Sequence, residues 1–123
     1  MEENIISKEI IGAAIEVHRI LGPGLMESAY QASLAQEFIL RNLKFEKEKA
    51  LPLEYKGTKL DCGYPLDFLV EGLVVVELKA VEKILPIHQA QLLTYMKLSN
   101  VSVGLLMNFN VKYLRDGIKR MVL

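Results

Sequence analysis

Three charged residues lie in two neighbouring segments that otherwise have the composition of buried β-strands. Residues 67–80, DFLVEGLVVVELKA, are mostly aliphatic or aromatic, yet they include Asp67, Glu77 and Lys79. Burying a carboxylate or an ammonium group is costly unless a partner or a metal compensates for the lost water. Two carboxylates and a lysine suit phosphodiester hydrolysis, since the acids hold a divalent cation and the lysine orients water. An ion pair between the lysine and the acids remains the structural alternative.

The relative positions of the two acids depend on the turn between the two strands. We predict a three-residue loop at 70–72, with Gly72 supplying the positive φ of a turn plus bulge. Asp67 then lies opposite Val75, and Glu77 is its diagonal neighbour on the same face, about 7 Å away. The lysine projects from that face as well. A two-residue turn would shift the register by one and send Asp67 to the other face.

Two helices are predicted ahead of these strands. Residues 7–20 carry apolar side chains at helical spacing, with Ser7 placed to cap the start. The GPG sequence ends this helix, and a second helix is predicted over about 25–41, with Gly24 as its cap. Glu27 falls in the first turn of that helix, where the helix dipole alone favours a negative charge.

A strand–helix–strand unit is predicted in the second half of the chain. The alternating segment 44–63 is typical of an exposed hairpin. A helix is predicted over 86–99, with proline at its first position, and the apolar run 102–109 is typical of a central strand. Because such units place their strands parallel in one sheet, strands 73–80 and 102–109 should be neighbours. The C-terminal IKRMVL predicts a last strand.

Composition restricts the class of protein. The 123 residues, 51% hydrophobic and 24% charged, predict one soluble globular domain over 1–123. Fifteen basic residues balance fifteen acidic ones, so a protein that coats nucleic acid non-specifically is not expected. No run reaches the roughly 18 apolar residues of a membrane span, and no export signal is evident, so a cytoplasmic location is expected. The single cysteine, Cys62, predicts a small buried side chain without a disulfide.

Several separated motifs resemble one family in the same order. Asp67 followed by the Glu-Leu-Lys of 77–79 resembles the D...(E)xK signature of the PD-(D/E)XK nuclease superfamily. GLMESAY at 24–30 is similar to the motif of the small GxxExxY proteins, as are ELKAVEKILPIHQAQLLTYMKL, GLLMNFNV and DGIKRMVL. The resemblance covers about 10–123. One departure is Pro65, where relatives often have a basic residue.

This resemblance implies an α/β, restriction-endonuclease-like fold, with a mixed β-sheet flanked by helices. It also implies hydrolysis of nucleic acid phosphodiesters with Mg²⁺, or Mn²⁺ as an alternative. Asp67 and Glu77 would be metal ligands, and Lys79 would position the water. Glu27 is expected to be an accessory catalytic acid and a third metal ligand, with the helix-terminal anion as its alternative role.

Supporting residues are also implied by the resemblance. Gln91 and Tyr95 lie four apart, hence on one face of the predicted third helix. They resemble the Gln-x-x-x-Tyr element of recombination-type members, which contacts substrate and supports the catalytic acids. A polar helix flank with an amphipathic tyrosine is the alternative for Tyr95. Tyr30 is expected in the same substrate-contacting or supporting group, whereas His18 and His88 are expected to be structural.

The implied partner is nucleic acid, DNA rather than RNA, and no membrane is expected. One alternative is a catalytically silent nuclease-like domain that binds protein or nucleic acid. Another is a homo-oligomer, or a complex with a protein partner that supplies basic surface. Basic residues near the C-terminus are predicted to form a solvated face rather than a binding site; they are Lys112, Arg115, Lys119 and Arg120.

Overall fold

The computed structural model describes residues 2–60 and 65–123, so Cys62 lies outside the described residues. The helices are α1 (Glu2–Leu21), α2 (Glu27–Leu40) and α3 (Pro86–Ser99). The strands are β1 (Phe45–Ala50), β2 (Leu53–Tyr55), β3 (Thr58–Leu60), β4 (Pro65–Val70), β5 (Val74–Lys79), β6 (Val103–Asn108) and β7 (Ile118–Val122). A short 3-10 helix, Leu114–Gly117, precedes β7.

One five-stranded mixed sheet organises the protein, in the order β1-β4-β5-β6-β7. The β5 and β6 strands are parallel and are joined through α3, while the other neighbouring pairs are antiparallel. The predicted α/β fold with a mixed sheet flanked by helices is therefore confirmed. The β2 and β3 strands form a separate exposed hairpin.

Helices cover both faces of the sheet. Residues of α1 and α2, including Ile10 and Phe38, form one buried cluster with Val76 of β5. Leu92 and Met96 of α3 form a second cluster with Val75, on the opposite face. Close approach of α3 depends on Gly104 of β6, because a Cβ atom there would lie 2.6 Å from the Met96 sulfur. Alternate residues of β5 therefore face different helices.

The helix starts differ from the predicted ones. Because α1 begins at Glu2, Ser7 lies inside the helix and is buried rather than capping it. The residue that precedes α2 is Met26, which makes no side-chain cap, so the predicted cap at Gly24 is wrong. Glu27 is the first residue of α2, as the predicted first-turn position requires.

The β1 strand lies at an edge of the sheet and is strongly charged. Its central residues, Glu46 to Lys49, alternate in sign, and Glu48 has a φ of 54°. A positive φ is uncommon for a residue other than glycine and twists the strand locally. Among the described residues, no helix has both the length and the hydrophobicity needed to cross a bilayer.

Candidate active site

The turn between β4 and β5 sets the relative positions of Asp67 and Glu77. Val70 pairs with Val74, and the Leu73 N–H donates a 2.9 Å hydrogen bond to the Val70 carbonyl. The loop therefore spans 71–73, and the predicted loop at 70–72 is wrong by one residue. Because the loop moves by one residue, each residue of β4 pairs with a β5 residue two positions later than predicted. In the register of these pairs, Asp67 falls level with Glu77 rather than with Val75.

The regular backbone ladder is interrupted at Asp67. Its N–H donates to Oε1 of Glu77 at 2.9 Å, and the Leu78 N–H donates to Oδ2 of Asp67 at 2.8 Å. The neighbouring Leu66 and Phe68 pack into different core clusters, although alternate residues of a regular strand share a face. Glu48, opposite Asp67 in the register of β1 and β4, has the positive φ noted above. Backbone N–H groups thus hold both carboxyl groups in fixed positions.

The α2 helix contributes an amide and a charge to this site. Gln31 donates from Nε2 to Oδ1 of Asp67 at 2.9 Å. Glu27 lies one turn earlier, exposed to solvent, and its negative charge acts on Asp67 through space. Sequence reasoning missed Gln31, although its position four residues after Glu27 puts both on one helix face.

Burial governs the electrostatics of the carboxyl pair. The pKa of Glu77 is raised to about 8, mainly by burial and then by the neighbouring charge of Asp67, which together outweigh the lowering by the Asp67 N–H and the Lys79 ammonium. Burial also raises the pKa of Asp67, against the opposing Leu78 N–H. Direct interaction of its carboxyl group with that of Asp67 also raises the pKa of Glu77. Near neutral pH, the pair therefore retains a proton that a divalent cation would displace.

The donor set fits a divalent cation of the magnesium type. Among residues 2–60 and 65–123, no group of three His, Cys, Asp or Glu side chains is arranged to hold a metal ion. Glu27 therefore does not form a three-ligand cluster with Asp67 and Glu77. Mg²⁺ is usually bound by one or two carboxylates, with water and substrate phosphate as its other ligands. Asp67 and Glu77 are adjacent carboxyl groups whose negative charge is not balanced by nearby cations, so they meet this requirement.

Lys79 ends β5 two residues after Glu77, so the two side chains project from the same face. Its neighbour in the parallel strand is the buried Asn108. The Asn108 side chain accepts a hydrogen bond from the Val81 N–H and donates one to the Val81 carbonyl. The Phe109 N–H donates to the Lys79 carbonyl at 2.9 Å. Asn108 thereby fixes the backbone that follows Lys79, a role that only the parallel register reveals.

Comparison with known protein families agrees with this geometry. The family model of the PD-(D/E)XK nuclease superfamily matches residues 4–121. The chain belongs to the PD-(D/E)XK nuclease superfamily. No curated protein and no solved structure matched the chain. Membership of this superfamily suggests nuclease activity on nucleic acid, and PD-(D/E)XK nucleases generally depend on divalent metal ions.

Gln91 and Tyr95 lie on α3 of this nuclease domain, both partly buried. The α3 helix packs against the sheet face that carries Val75. By the alternation of β5, Glu77 and Lys79 project toward the same side of the sheet. The fold therefore places both α3 residues on the side of the sheet toward which Glu77 and Lys79 project.

Tyr30 is a core residue of the nuclease domain. Its hydroxyl donates to the Gly22 carbonyl at 2.6 Å and accepts from the Leu25 N–H at 3.1 Å. The ring is fully buried and stacks on Phe109 at 4.6 Å. Tyr30 thus holds the loop that leads into Glu27, and it presents no exposed surface to a substrate.

Both histidines have structural contacts, as predicted. Nε2 of His18 donates to the Val111 carbonyl at 2.8 Å, since a carbonyl can only accept. Nδ1 of His88 accepts the Leu85 N–H at 3.0 Å and thereby caps the start of α3.

Proposed function

We propose that this protein is a divalent-metal-dependent nuclease that hydrolyses phosphodiester bonds of nucleic acid. The observation that carries the proposal is the adjacent pair of the partly buried Asp67 and the buried Glu77, whose carboxyl groups each accept a backbone N–H from the facing strand, with Lys79 two residues after Glu77. Superfamily membership supports the same activity. Within the superfamily, the motif at 24–30 supports a place among the GxxExxY proteins.

Asp67 and Glu77 would hold the cation, which we propose to be Mg²⁺, with Mn²⁺ as a substitute. When bound, the cation polarises the phosphate and lowers the pKa of a coordinated water. The Asp67 and Leu78 N–H groups keep the two carboxylates in place, and Gln31 orients Asp67 from α2. These contacts prepare the site before substrate arrives.

Lys79 supplies a positive charge that is not itself a ligand. Its ammonium group orients the attacking water and stabilises negative charge on the phosphate. A new P–O bond forms from the water while the P–O bond to the leaving alcohol breaks. Glu27 is proposed as an accessory acid, and Gln91 and Tyr95 as substrate contacts, with DNA favoured over RNA.

A catalytically silent binding domain is the second candidate. It is favoured by the lack of a three-ligand cluster within the described parts of the chain. Two depressions, of about 430 and 590 Å³, are lined by residues other than Asp67 and Glu77. Such a domain would bind nucleic acid or protein without hydrolysing it.

The decisive experiment titrates the purified protein with Mg²⁺ or Mn²⁺ and measures cation binding by calorimetry. Cleavage of end-labelled single- and double-stranded DNA and RNA is followed in parallel. Glu77→Ala tests the site, and Glu71→Ala is the matched control because it removes a glutamate from the turn of the same hairpin.

We expect the wild type and Glu71→Ala to bind the cation and cleave, and Glu77→Ala to lose both properties. Cation binding and nucleic acid binding without cleavage under any of these conditions would favour the silent domain instead. Cleavage at the wild-type rate by Glu77→Ala would contradict the proposed site.

A further inference from the structure

A groove of about 590 Å³ lies between the end of α1 and the segment that follows β6. We call it the basic groove; its walls include Arg19, Gly22, Pro23, Lys112, Tyr113 and Arg115. No acidic side chain lines it among the described residues. Its charged side chains are therefore basic: Arg19 of α1, and Lys112 and Arg115 of the 112–115 segment.

The cations of the basic groove are not equivalent. Arg19 forms a two-point ion pair with Glu16, at 2.8 and 3.1 Å, so its charge is already partly compensated. Lys112 and Arg115 are exposed, and neither takes part in an ion pair within the described residues. Both charges are consequently available to an anionic partner.

An exposed aromatic ring lies between these two cations in sequence. Tyr113 is 53% exposed, with Lys112 Nζ 5.4 Å and Arg115 Cζ 5.5 Å from its ring centre. Proteins that bind single strands combine cations for the phosphates with aromatic rings on which unpaired bases stack. Bases in a duplex are stacked on each other, so their faces are hidden from such a ring.

The basic groove lies at the same edge of the sheet as the carboxyl pair. Its 112–115 segment begins just after Phe109, whose N–H is bonded to the Lys79 carbonyl. The Phe109 ring stacks on Tyr30, and Tyr30 in turn holds Gly22 at the opposite wall. A strand lying in the groove can therefore continue toward the ends of β5 and α2.

We propose that the basic groove binds an unpaired strand of nucleic acid, with phosphates at Lys112 and Arg115 and one base stacked on Tyr113. The direction of the strand toward Asp67 and Glu77 rests on the proposed function, whereas binding in the groove does not. The groove thus gives the protein a preference for single strands, overhangs or unpaired ends over continuous duplex.

Binding is tested without divalent cations, so that no cleavage occurs, by fluorescence anisotropy with a labelled oligothymidylate and a duplex of equal length. The variants are Lys112→Ala/Arg115→Ala and Tyr113→Ala. The matched charge control is Lys44→Ala/Lys97→Ala, which removes two exposed lysines near the opposite edge of the sheet. Tyr113→Phe keeps the stacking surface, and thermal melting of each variant checks folding.

We expect the wild type to bind the single strand more tightly than the duplex. Tyr113→Ala should weaken single-strand binding by about 5- to 100-fold, the range for losing one base stack, and Tyr113→Phe should bind as the wild type. The double variant in the groove should also flatten the dependence of log Kd on log salt by about 0.7 for each lost phosphate contact. Lys44→Ala/Lys97→Ala should change neither quantity appreciably.

Equal binding of duplex and single strand, or unchanged binding in folded Tyr113→Ala and Lys112→Ala/Arg115→Ala, would overturn the inference. Failure of the proposed function is seen separately with bis(p-nitrophenyl) phosphate, a small diester that has no nucleotide strand for the groove to bind. If wild-type protein with Mg²⁺ or Mn²⁺ hydrolyses neither it nor nucleic acid, the nuclease proposal fails while the binding results still stand. Preferential capture of an acidic peptide over oligothymidylate would point to a protein partner and would also overturn the inference.

Discussion

The two ends of the β4–β5 hairpin are stabilised in different ways. Near the turn, three consecutive pairs from Phe68–Val76 to Val70–Val74 form a regular apolar ladder. At the other end, the carboxyl groups of Asp67 and Glu77 accept hydrogen bonds from the backbone of the facing strand. Near the turn, the two strands are joined by backbone-to-backbone hydrogen bonds. At the other end, they are joined by hydrogen bonds from the backbone to acidic side chains.

Each end also has a glutamate that accepts a backbone N–H. Glu71, in the turn, accepts from Lys44 at 2.8 Å in an exposed position, while Glu77 accepts from Asp67 at 2.9 Å in a buried one. The hydrogen bonds are alike, so exclusion of water and the adjacent Asp67 carboxyl account for the raised pKa of Glu77. The comparison teaches that burial and a neighbouring carboxyl, rather than hydrogen bonding, distinguish Glu77 at the end of the hairpin that forms the candidate site.

The largest effect expected is on catalysis, from Lys79→Ala at the candidate site. Loss of the ammonium should lower the cleavage rate by about 100-fold or more, as for other groups that stabilise charge in the transition state. Cation affinity should stay close to that of the wild type, since an ammonium group does not ligate metal. Cleavage assays and calorimetry measure the two properties, with Lys44→Ala beside the turn as the control. Cation binding lost as completely as in Glu77→Ala would contradict these roles.

The next effect is on stability, where the two glutamates should respond with opposite sign. The folded protein keeps a proton on Glu77 above the usual pKa of glutamate, so the wild type loses stability as the pH rises toward about 8. At pH 8, Glu77→Gln should raise the free energy of unfolding by about 1 to 3 kcal/mol, and the gain should shrink toward pH 5.

Glu71→Gln should instead lower stability by less than about 1 kcal/mol at pH 8, because the Lys44 N–H loses a charged acceptor. Urea unfolding of both variants, without divalent cations, measures the difference. A Glu77→Gln protein that is less stable than the wild type at pH 8 would show that the buried acid is fully compensated.

Glu27→Gln distinguishes a helix-terminal anion from an acid of the active site. The charge of Glu27 raises the pKa of Asp67, so removing it should leave the melting temperature unchanged or raise it. Cleavage should fall by about tenfold or more, the range for groups that support metal ligands. A control is Glu2→Gln, in the first turn of α1. A lower melting temperature with wild-type cleavage would assign Glu27 to the helix dipole alone, worth about 0.3 to 1 kcal/mol.

The smallest effect is expected from Gln31→Leu, which removes one hydrogen bond to Asp67. A bond of this kind contributes about 1 kcal/mol, so cleavage should fall by about fivefold. Because the bond lowers the pKa of Asp67, its loss should weaken cation binding more at pH 6 than at pH 8. Gln36→Leu, on an exposed position of the same helix, is the control, and equal effects of both variants would contradict the role of Gln31.

Local patterns predicted much of this fold. The length of the apolar run at 102–109 and the proline at the start of α3 were sufficient for the β5–α3–β6 unit. The proximity of Asp67 to Glu77 follows from the pairing of the two hairpin strands, which brings them together even with the turn misplaced by one residue. The turn itself was misplaced because Glu71, a residue that rarely adopts a positive φ, has a φ of 53° there.

Contacts between distant segments were not predicted. Gln31 and Asp67 are 36 positions apart, and no local pattern links an α2 amide to a β4 carboxylate. The role of Asn108 is evident only from the parallel register of β5 and β6, which places it beside Lys79. Ser7 was misread because a serine near the start of an apolar pattern resembles a cap, whereas the helix extends five residues further toward the N-terminus.

The charged edge strand β1 has a consequence for behaviour at high concentration. An edge strand presents unpaired N–H and C=O groups, to which a second chain can add as a further strand and begin aggregation. In β1, a second chain pairing with this edge would remove water from the charged side chains of Glu46 to Lys49, next to a backbone twisted at Glu48. Both features disfavour continuous sheet formation between molecules through this edge.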